Sequence, residues 1–568
     1  MFKGLIAAHD GKKWMSFPAT PDEKPVWEWL RSLEERFLVD APYKLHTTAT
    51  TNQFKERKGQ MDLFLQKPTA EASSTFWYKD VLVVGKQKKS YVKGRFKADL
   101  LQLTRYVRGI FADQPTRRFV HAFSFCASIM ELWVFDRSGA YSSGPFNIHE
   151  EPDKFAGSFV GYTTMDDSAM GLDTFVERQD GCRHVTLSDS SSNETKIRLE
   201  KAMVRQKAIV CHGTTCYETE NHHVAKFSWA SDKRKPEVEQ LKLAEEKGVK
   251  GVAKVVAHRQ ITTIAEIREG LQFPIAHPLR NEDVFFDDPP SAISNTSTSS
   301  NKRKSSFDTT SDNPPRSKKR RSNSRLLVRK LSDQSISKAK PSLYTPGEDL
   351  WENRICSCLV VSPAGRVISD FKTIKELLES MRDAIKAHQS LYVTGNILHR
   401  DISSNNIIIT DPVTADGFKG MLIDLDLAKI RDSSPSGARH QTGTMQFMAV
   451  EVLRTANHTY RHDLESFFYV LLWMCARQSW KNGFAGEEWP PRKSLLRELE
   501  IGSFKTIARS KASDMAVHGL EEIMGEFPTS LTVIKPLCLN IRTALFGDTA
   551  KVCLGTSVGD LISFTDLS

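Results

Sequence analysis

The sequence has no long apolar run. None of its stretches approaches the roughly 20 residues that span a bilayer, and the longest, Phe467 to Ala476, reads as a buried helix. The N-terminal MFKGLIAAHDGKKWM carries basic residues but neither the apolar stretch nor the cleavage site of a secretion leader, so none is expected. Cysteine is sparse and unpatterned. Its nine residues are an odd number without metal-type spacing, which fits reduced thiols in the cytosol or nucleus rather than a disulfide framework. Cys211, Cys216, His222 and His223 lie close together, but their spacing matches no common zinc module. What is present is a chain of 568 residues, too long for one core, so two or more domains are expected. Hydrophobic residues at 40% supply globular parts, and 26% charged residues favour solubility. The net charge of +10 sits largely in one segment and so marks a tail-like insertion rather than a basic binding face.

Residues 1–190 read as a mixed α/β domain. Trp27, Leu30, Leu33 and Phe37 recur at helical spacing and predict a helix over Lys24–Leu38, with a second over Lys97–Gly109. Val81–Val84, Phe119–Phe125 and Met130–Phe135 read as strands, and Asp136-Arg137-Ser138-Gly139 turns the last back as a hairpin into Ala140–Ser142. Lys86 stands where a metal-dependent nuclease would place a carboxylate, leaving Asp62 or Asp80 without an acidic partner; a charged strand end is the ordinary reading. Residues 180–200 are polar and read as a connector. Beyond it, a strand at Ala208–Val210, a turn holding Gly213 and a second strand ending His223–Phe227 carry Lys226. Pro236 opens a helix on which Glu237, Leu241 and Ala244 share a face, with Glu239 the other acidic candidate there.

Apolar residues nearly vanish between Ser291 and Arg325. Such a stretch cannot bury enough surface to offset chain entropy, so 281–346 is expected to be disordered. Lys302-Arg303-Lys304 and Arg316-Ser317-Lys318-Lys319-Arg320-Arg321 within it resemble a bipartite nuclear localisation signal, which implies a nuclear import receptor bound through 302–321 and nuclear rather than cytoplasmic residence. A solvated charge run and contact with nucleic-acid phosphates are the alternatives. Order resumes with a strand at Ile355–Val361 and a helix over Thr373–Leu391, where Ile374, Leu377, Leu378, Met381, Ile385 and His388 share a stripe.

His399-Arg400-Asp401, followed by Asn406 and the run Ile407–Ile409, is the stretch the rest is organised around. Asp401 can accept a hydroxyl proton and the Asn406 amide oxygen can hold a divalent ion on a nucleotide, a pairing suited to phosphoryl transfer. Downstream come Asp424 after the strand Met421–Ile423, then Gly443-Thr444, then Ala449-Val450-Glu451, and then Asp463 at the head of HDLESFFYVLLWM. The ordered set resembles the eukaryotic protein kinases, and HDLESFFYVLLWM is similar to the matching helix of casein-kinase-like enzymes. HRDISSNN, LIDLDLA and TGTMQFMAVE, preceded by VLVVGKQK and LWVFDRSG, resemble the fungal-type protein-kinase-like family more closely, over most of the chain outside the basic insertion and the tail.

The resemblance implies an α+β, bilobal protein-kinase-like fold, with a β-rich N-lobe and a helical C-lobe, preceded by the mixed α/β domain. It divides the chain into 1–190, an N-lobe at 191–280, the insertion at 281–346, the end of the N-lobe with hinge and C-lobe at 347–548, and a tail at 549–568. It implies ATP and Mg2+ as cofactors and protein Ser/Thr hydroxyls as acceptors. Asp401 becomes the catalytic base, and Asn406 and Asp424 the magnesium ligands. Lys226 holds the phosphates, paired with Glu237. Gly213 lies over the nucleotide and Val361 leads into the hinge at Ser362 and Pro363. Glu451 and Asp463 are structural, and Arg400 suits activation by phosphate, with Ser433, Ser434, Ser436, Thr442 and Thr444 as receivers. Four positions depart from the family pattern: Gly213 is the only glycine of its loop, Ser403 replaces a lysine that contacts the γ-phosphate, Asp426 replaces a glycine, and Val450 replaces a proline. The first two of these, the thin glycine loop and Ser403, motivate the alternative, a pseudokinase or nuclear scaffold that binds ATP or partners without efficient transfer.

Overall fold

A computed structural model describes residues 1–48, 53–55, 61–68, 75–89, 96–189, 191–206, 208–273, 351–431, 443–483, 490–491, 493–548 and 552–554. The insertion at 281–346 with both basic clusters, Ser433, Ser434, Ser436 and Thr442, and the tail apart from 552–554 lie outside the described residues.

Helices α1 (Phe2–Ile6) and α2 (Glu23–Phe37) lead into the first sheet, α2 burying Val26, Trp29, Leu30 and Leu33 on one face. Strands β1 (Lys44–His46), β2 (Leu63–Gln66), β3 (Val83–Lys88), β4 (Phe119–Cys126), β5 (Ile129–Asp136) and β6 (Gly139–Ser142) lie side by side in that order, and β7 (Phe146–Asn147) pairs with β5. Only β3 and β4 run parallel, and the crossover that a parallel pair needs is α3 (Phe96–Asp113). The core formed with α1, α2 and α4 (Pro152–Thr164) covers one face, and the core formed with α3 covers the other. Lys86 is buried and its Nζ lies 2.6 Å from Asp62 Oδ2, so this charged strand end closes on itself as an ion pair.

The second sheet contains β8 (Glu177–Gln179), β9 (Cys182–Asp189), β10 (Glu194–Arg205), β11 (Thr215–Thr219), β12 (Val224–Ser231), β13 (Lys254–Thr263) and β14 (Arg354–Ser362). Its order is β10-β11-β12-β14-β13-β9-β8, and β9 also pairs with β10, so six antiparallel strands close on one another. Tyr217, Ala225, Phe227, Ala257, Cys358 and Val360 share a core with Val185, Leu187, Ile197 and Leu199 from β9 and β10. Two expectations change here. The polar stretch 180–200 is a hairpin rather than a connector, because its few apolar side chains alternate and all fall on the inner side; the boundary expected at 190 therefore falls inside this sheet. The strand expected at Ala208–Val210 is absent, since the residues are a loop and Ile209 packs against the α3 side of the first sheet.

Helix α5 (Glu237–Glu246) follows β12, and α6 (Ile264–Ile267), closed by a Thr263–Glu266 capping box, follows β13. Past β14 come β15 (Arg366–Val367), α7 (Ile374–Val393), β16 (Ile397–Leu398), β17 (Ile407–Ile409), β18 (Gly420–Leu422) and β19 (Lys429–Ile430). Then follow α8 (Val450–Leu453), α9 (Tyr460–Gly483), α10 (Phe504–Asp514), α11 (Val517–Gly525) and α12 (Lys535–Phe546). The largest core joins Leu377, Met381 and Ala384 of α7 to Phe467, Phe468, Leu471 and Met474 of α9 and Leu545 of α12. Among the described residues no helix is long and apolar enough to cross a membrane.

The segment leading into β13 is fastened by its backbone to β18. The Leu422 N–H donates to the Gly251 carbonyl at 3.0 Å, and Ala253 N–H donates back to Leu422 at 3.3 Å. Gly251 has φ +75°, and a Cβ there would lie 2.6 Å from Ala387 and 2.7 Å from Phe418, so only glycine permits this approach. The contact brings Asp424, just past β18, under Lys226 of β12.

Candidate active site

Lys226 is on β12, paired in register with Leu359 of β14 and Cys216 of β11, and its side chain is buried. Its Nζ lies 2.7 Å from Glu237 Oε2, 2.9 Å from Asp424 Oδ1 and 3.0 Å from Asp426 Oδ2. Glu237, not the exposed Glu239, makes the pair, because Glu237 opens α5 with its side chain directed inward. Glu237 Oε1 also accepts the Leu425 N–H at 3.0 Å, and Gln240 Nε2 donates to the Leu425 carbonyl at 2.9 Å, which fastens α5 to the Asp424 loop. Asp424 has φ +68°, a strained conformation for a residue with a side chain and one that gathers at functional sites.

One ammonium faces three carboxylates in a buried place. Burial lowers the affinity of Lys226 for its proton, but the charges of Asp424, Asp426 and Glu237 outweigh it and hold the amine well above its ordinary range. Burial, helped by the Asp426 and Asp424 charges, pushes Glu237 up to about 8 in spite of Lys226. Asp424 stays below the ordinary carboxylate range because Lys226 outweighs its burial. Both Glu237 oxygens accept N–H donors, one from Lys226 and one from the Leu425 backbone, so the pair is held by hydrogen bonds as well as by charge.

Asp401 sits in the loop between β16 and β17. Its Oδ1 accepts the Thr444 N–H at 2.8 Å and the Thr444 hydroxyl at 2.9 Å. Asn406 Nδ2 donates to Asp401 Oδ2 at 3.1 Å and to the Asp401 carbonyl at 2.8 Å, which leaves the amide oxygen as the ligand-capable end. Burial, then the Asp424 charge, pushes Asp401 up to about 6 against these hydrogen bonds. Arg400, at φ +69°, donates its N–H to both oxygens of Asp463 at 3.2 Å. Asp463 is fully buried and also accepts from His388 Nε2 and His458 Nε2, each at 2.8 Å. Burial opposes its ionisation, but the two histidines outweigh that and hold it well below its usual range. Ser403 is buried and its Oγ accepts the Asn405 N–H at 3.3 Å, closing the turn from within.

Lys226, Glu237 and Asp424 are thus in direct contact, and Asp401, Asn406 and Thr444 form an adjoining group within reach of the Asp424 charge. Gly213 is in the loop between β10 and β11, at φ +56°, against Arg137 and Trp229. Val361 lies near the end of β14, opposite Val224 and Val255, just before Ser362 and Pro363. Glu451 accepts from His462 Nε2 at 3.1 Å and lies 3.9 Å from Arg461 Nη1, away from the carboxylates. Two participants escaped the sequence. Asp426 was expected only to stiffen the backbone, yet it is a partner of Lys226; its place two residues after Asp424 was the available signal. His458 had no signal, because its role comes from the folding of 454–463 around Asp463.

Oxygens of Glu237, Asp424 and Asp426 lie within 4.8 Å of one another, and no other such group of three His, Cys, Asp or Glu occurs among the described residues. The Lys226 ammonium balances this group, and the oxygen donors on its Asp401 side, Asp424 and the Asn406 amide oxygen, are of the hard kind that suits a divalent cation carrying phosphates. No curated protein matches the chain. The family profile described as fungal protein kinase matches residues 60–475, which include the second sheet, the Lys226 cluster, the Asp401 loop and most of α9, and so the chain belongs to the fungal protein kinase family.

Proposed function

We propose that this protein is a protein kinase that transfers the γ-phosphate of ATP to Ser/Thr hydroxyls of protein substrates, with Mg2+, between a β-rich N-lobe (the second sheet with α5) and a helical C-lobe. The observation that carries the reading is Asp401. It is a half-buried carboxylate oriented from both sides by Asn406 and Thr444, and near the Asp424 charge it is raised to about 6, close to what a general base needs. Asp401 takes the proton of the acceptor hydroxyl. Asn406 and Asp424 would hold the magnesium, which would supply neutralisation of phosphate charge. Lys226 grips the phosphates, kept in line by Glu237, while Gly213 and Val361 border the nucleotide. Asp463 fixes the Arg400 backbone, and Glu451 braces the segment after Thr444. The basic clusters at 302–321 are assigned to an import receptor and to nuclear residence. Neutralising Lys318, Lys319, Arg320 and Arg321 in a tagged protein releases it to the cytoplasm; unchanged nuclear signal overturns that assignment.

The test of transfer is incubation with labelled ATP and magnesium beside Asp401→Asn and Asp424→Asn. Label on the protein or on generic protein acceptors, lost in both variants, supports the kinase. Equal and negligible label in all three overturns it. One observation favours a second reading, a pseudokinase or scaffold: Asp426 Oδ2 occupies Lys226 at 3.0 Å, competing for the ammonium that phosphates need. ATP binding without transfer selects that reading.

A further inference from the structure

The mechanism above uses nothing from the first sheet, yet a turn of that sheet touches the loop that borders the nucleotide. Asp136, Arg137, Ser138 and Gly139 join β5 to β6. Arg137 is fully buried, its guanidinium 4.2 Å from the centre of the Phe111 ring and its Nη2 donating to the Pro115 carbonyl at 3.2 Å. From this seat Nη1 donates to the Ala208 carbonyl at 2.8 Å and lies 3.9 Å from Cys211 Sγ. A Cβ on Gly213 would come within 2.9 Å of Arg137 Nε and 3.2 Å of Trp229, so the missing side chain is what lets the loop lie on the guanidinium. The turn is tied down on both sides. Asp136 takes two 2.8 Å bonds from Arg268 at the end of α6, and Ser138 Oγ donates to the Glu352 carbonyl ahead of β14.

The same loop runs on to the site. The His212 carbonyl accepts the Trp229 N–H at 2.6 Å, and His212 Nδ1 lies 3.9 Å from Asp426 Oδ2, itself bonded to Lys226. A phosphate-covering loop with several glycines finds its place through backbone freedom. This loop has one, and a buried guanidinium bound to its backbone supplies the support from outside.

We propose that Arg137 is a positioning residue for nucleotide binding, through which the first sheet seats loop 208–214 over the Lys226 site. The proposal rests on reading that site as a nucleotide site. It is tested on the full chain by calorimetric titration with ATP and magnesium, together with amide hydrogen exchange over 208–214, in wild type, Arg137→Lys and Arg137→Met. The expected result is faster exchange in the loop and affinity weakened by roughly tenfold in Arg137→Met, the size of one lost charge-assisted hydrogen bond, at an unfolding temperature close to wild type. Arg137→Lys keeps a charge without the fork and falls between. Folded variants that bind as wild type does overturn the proposal and leave the nucleotide site standing, whereas wild type that binds no ATP overturns both. If the Arg137 variants do not fold, Gly213→Ala carries the test from the loop's side: weakened binding is expected, and unchanged affinity overturns the proposal.

Discussion

Asp401 and Asp426 set opposite demands at the scale of single residues. In the base role proposed for it Asp401 must be deprotonated, so that role is available above its raised value of about 6 and is lost as pH falls through it. On the acid side kcat/KM is expected to fall with a midpoint near 6, about tenfold per pH unit below it, and a flat profile down to pH 4.5 contradicts that role. Replacing Asp401 with Asn lowers kcat by about 10²–10⁴-fold if proton transfer is its contribution. Asp426 acts the other way. Asp426→Asn removes one claimant on Lys226, so the KM for ATP is expected to drop several-fold while Glu237, relieved of a neighbouring charge, moves back down; a KM that rises instead makes Asp426 an aid to nucleotide binding.

Elements are held in place by close backbone approaches as much as by apolar stripes. α7 was legible because Leu377, Met381 and Ile385 repeat at helical spacing behind a Thr373 cap, and the structure buries those residues against α9. The β9–β10 hairpin was not. Four apolar side chains in a polar stretch resemble a connector until β13 and β11 pair with its two strands. The segment ahead of β13 depends on Gly251, whose missing side chain admits Ala387 and Phe418. Gly251→Ala is expected to cost about 1–3 kcal/mol, read as a lower urea midpoint, because the position combines φ +75° with a crowded contact. A neutral result would mean that the β18 contact does not hold the second sheet to the Asp401 loop.

At the scale of the molecule, buried polar contacts join the first and second sheets. Asp136 and Arg268 are both buried and bidentate, with Arg268 also set between the Tyr141 and Trp351 rings at 4.9 Å from each. Breaking one side of such a pair strands a charge, so Asp136→Ala and Arg268→Ala should each cost about 3–5 kcal/mol, and the double variant less than their sum. Additive losses in the denaturation midpoints would mean the two residues are not coupled across the junction.

The sequence by itself determined the order of the chemical groups, since Asp401, Asn406, Asp424, Gly443-Thr444 and Asp463 follow one another at spacings that a motif preserves. It also determined the long helices and the strands with dense apolar patterns, because periodicity survives in one dimension. Only the tertiary structure decided which of two glutamates meets Lys226, that Asp426 joins them, and that Arg137 of the first sheet reaches Ala208 and Gly213. Those contacts join residues up to 200 positions apart, and their partners are chosen by strand order, a glycine-sized gap and the cost of leaving a buried charge alone, none of which is written in local spacing.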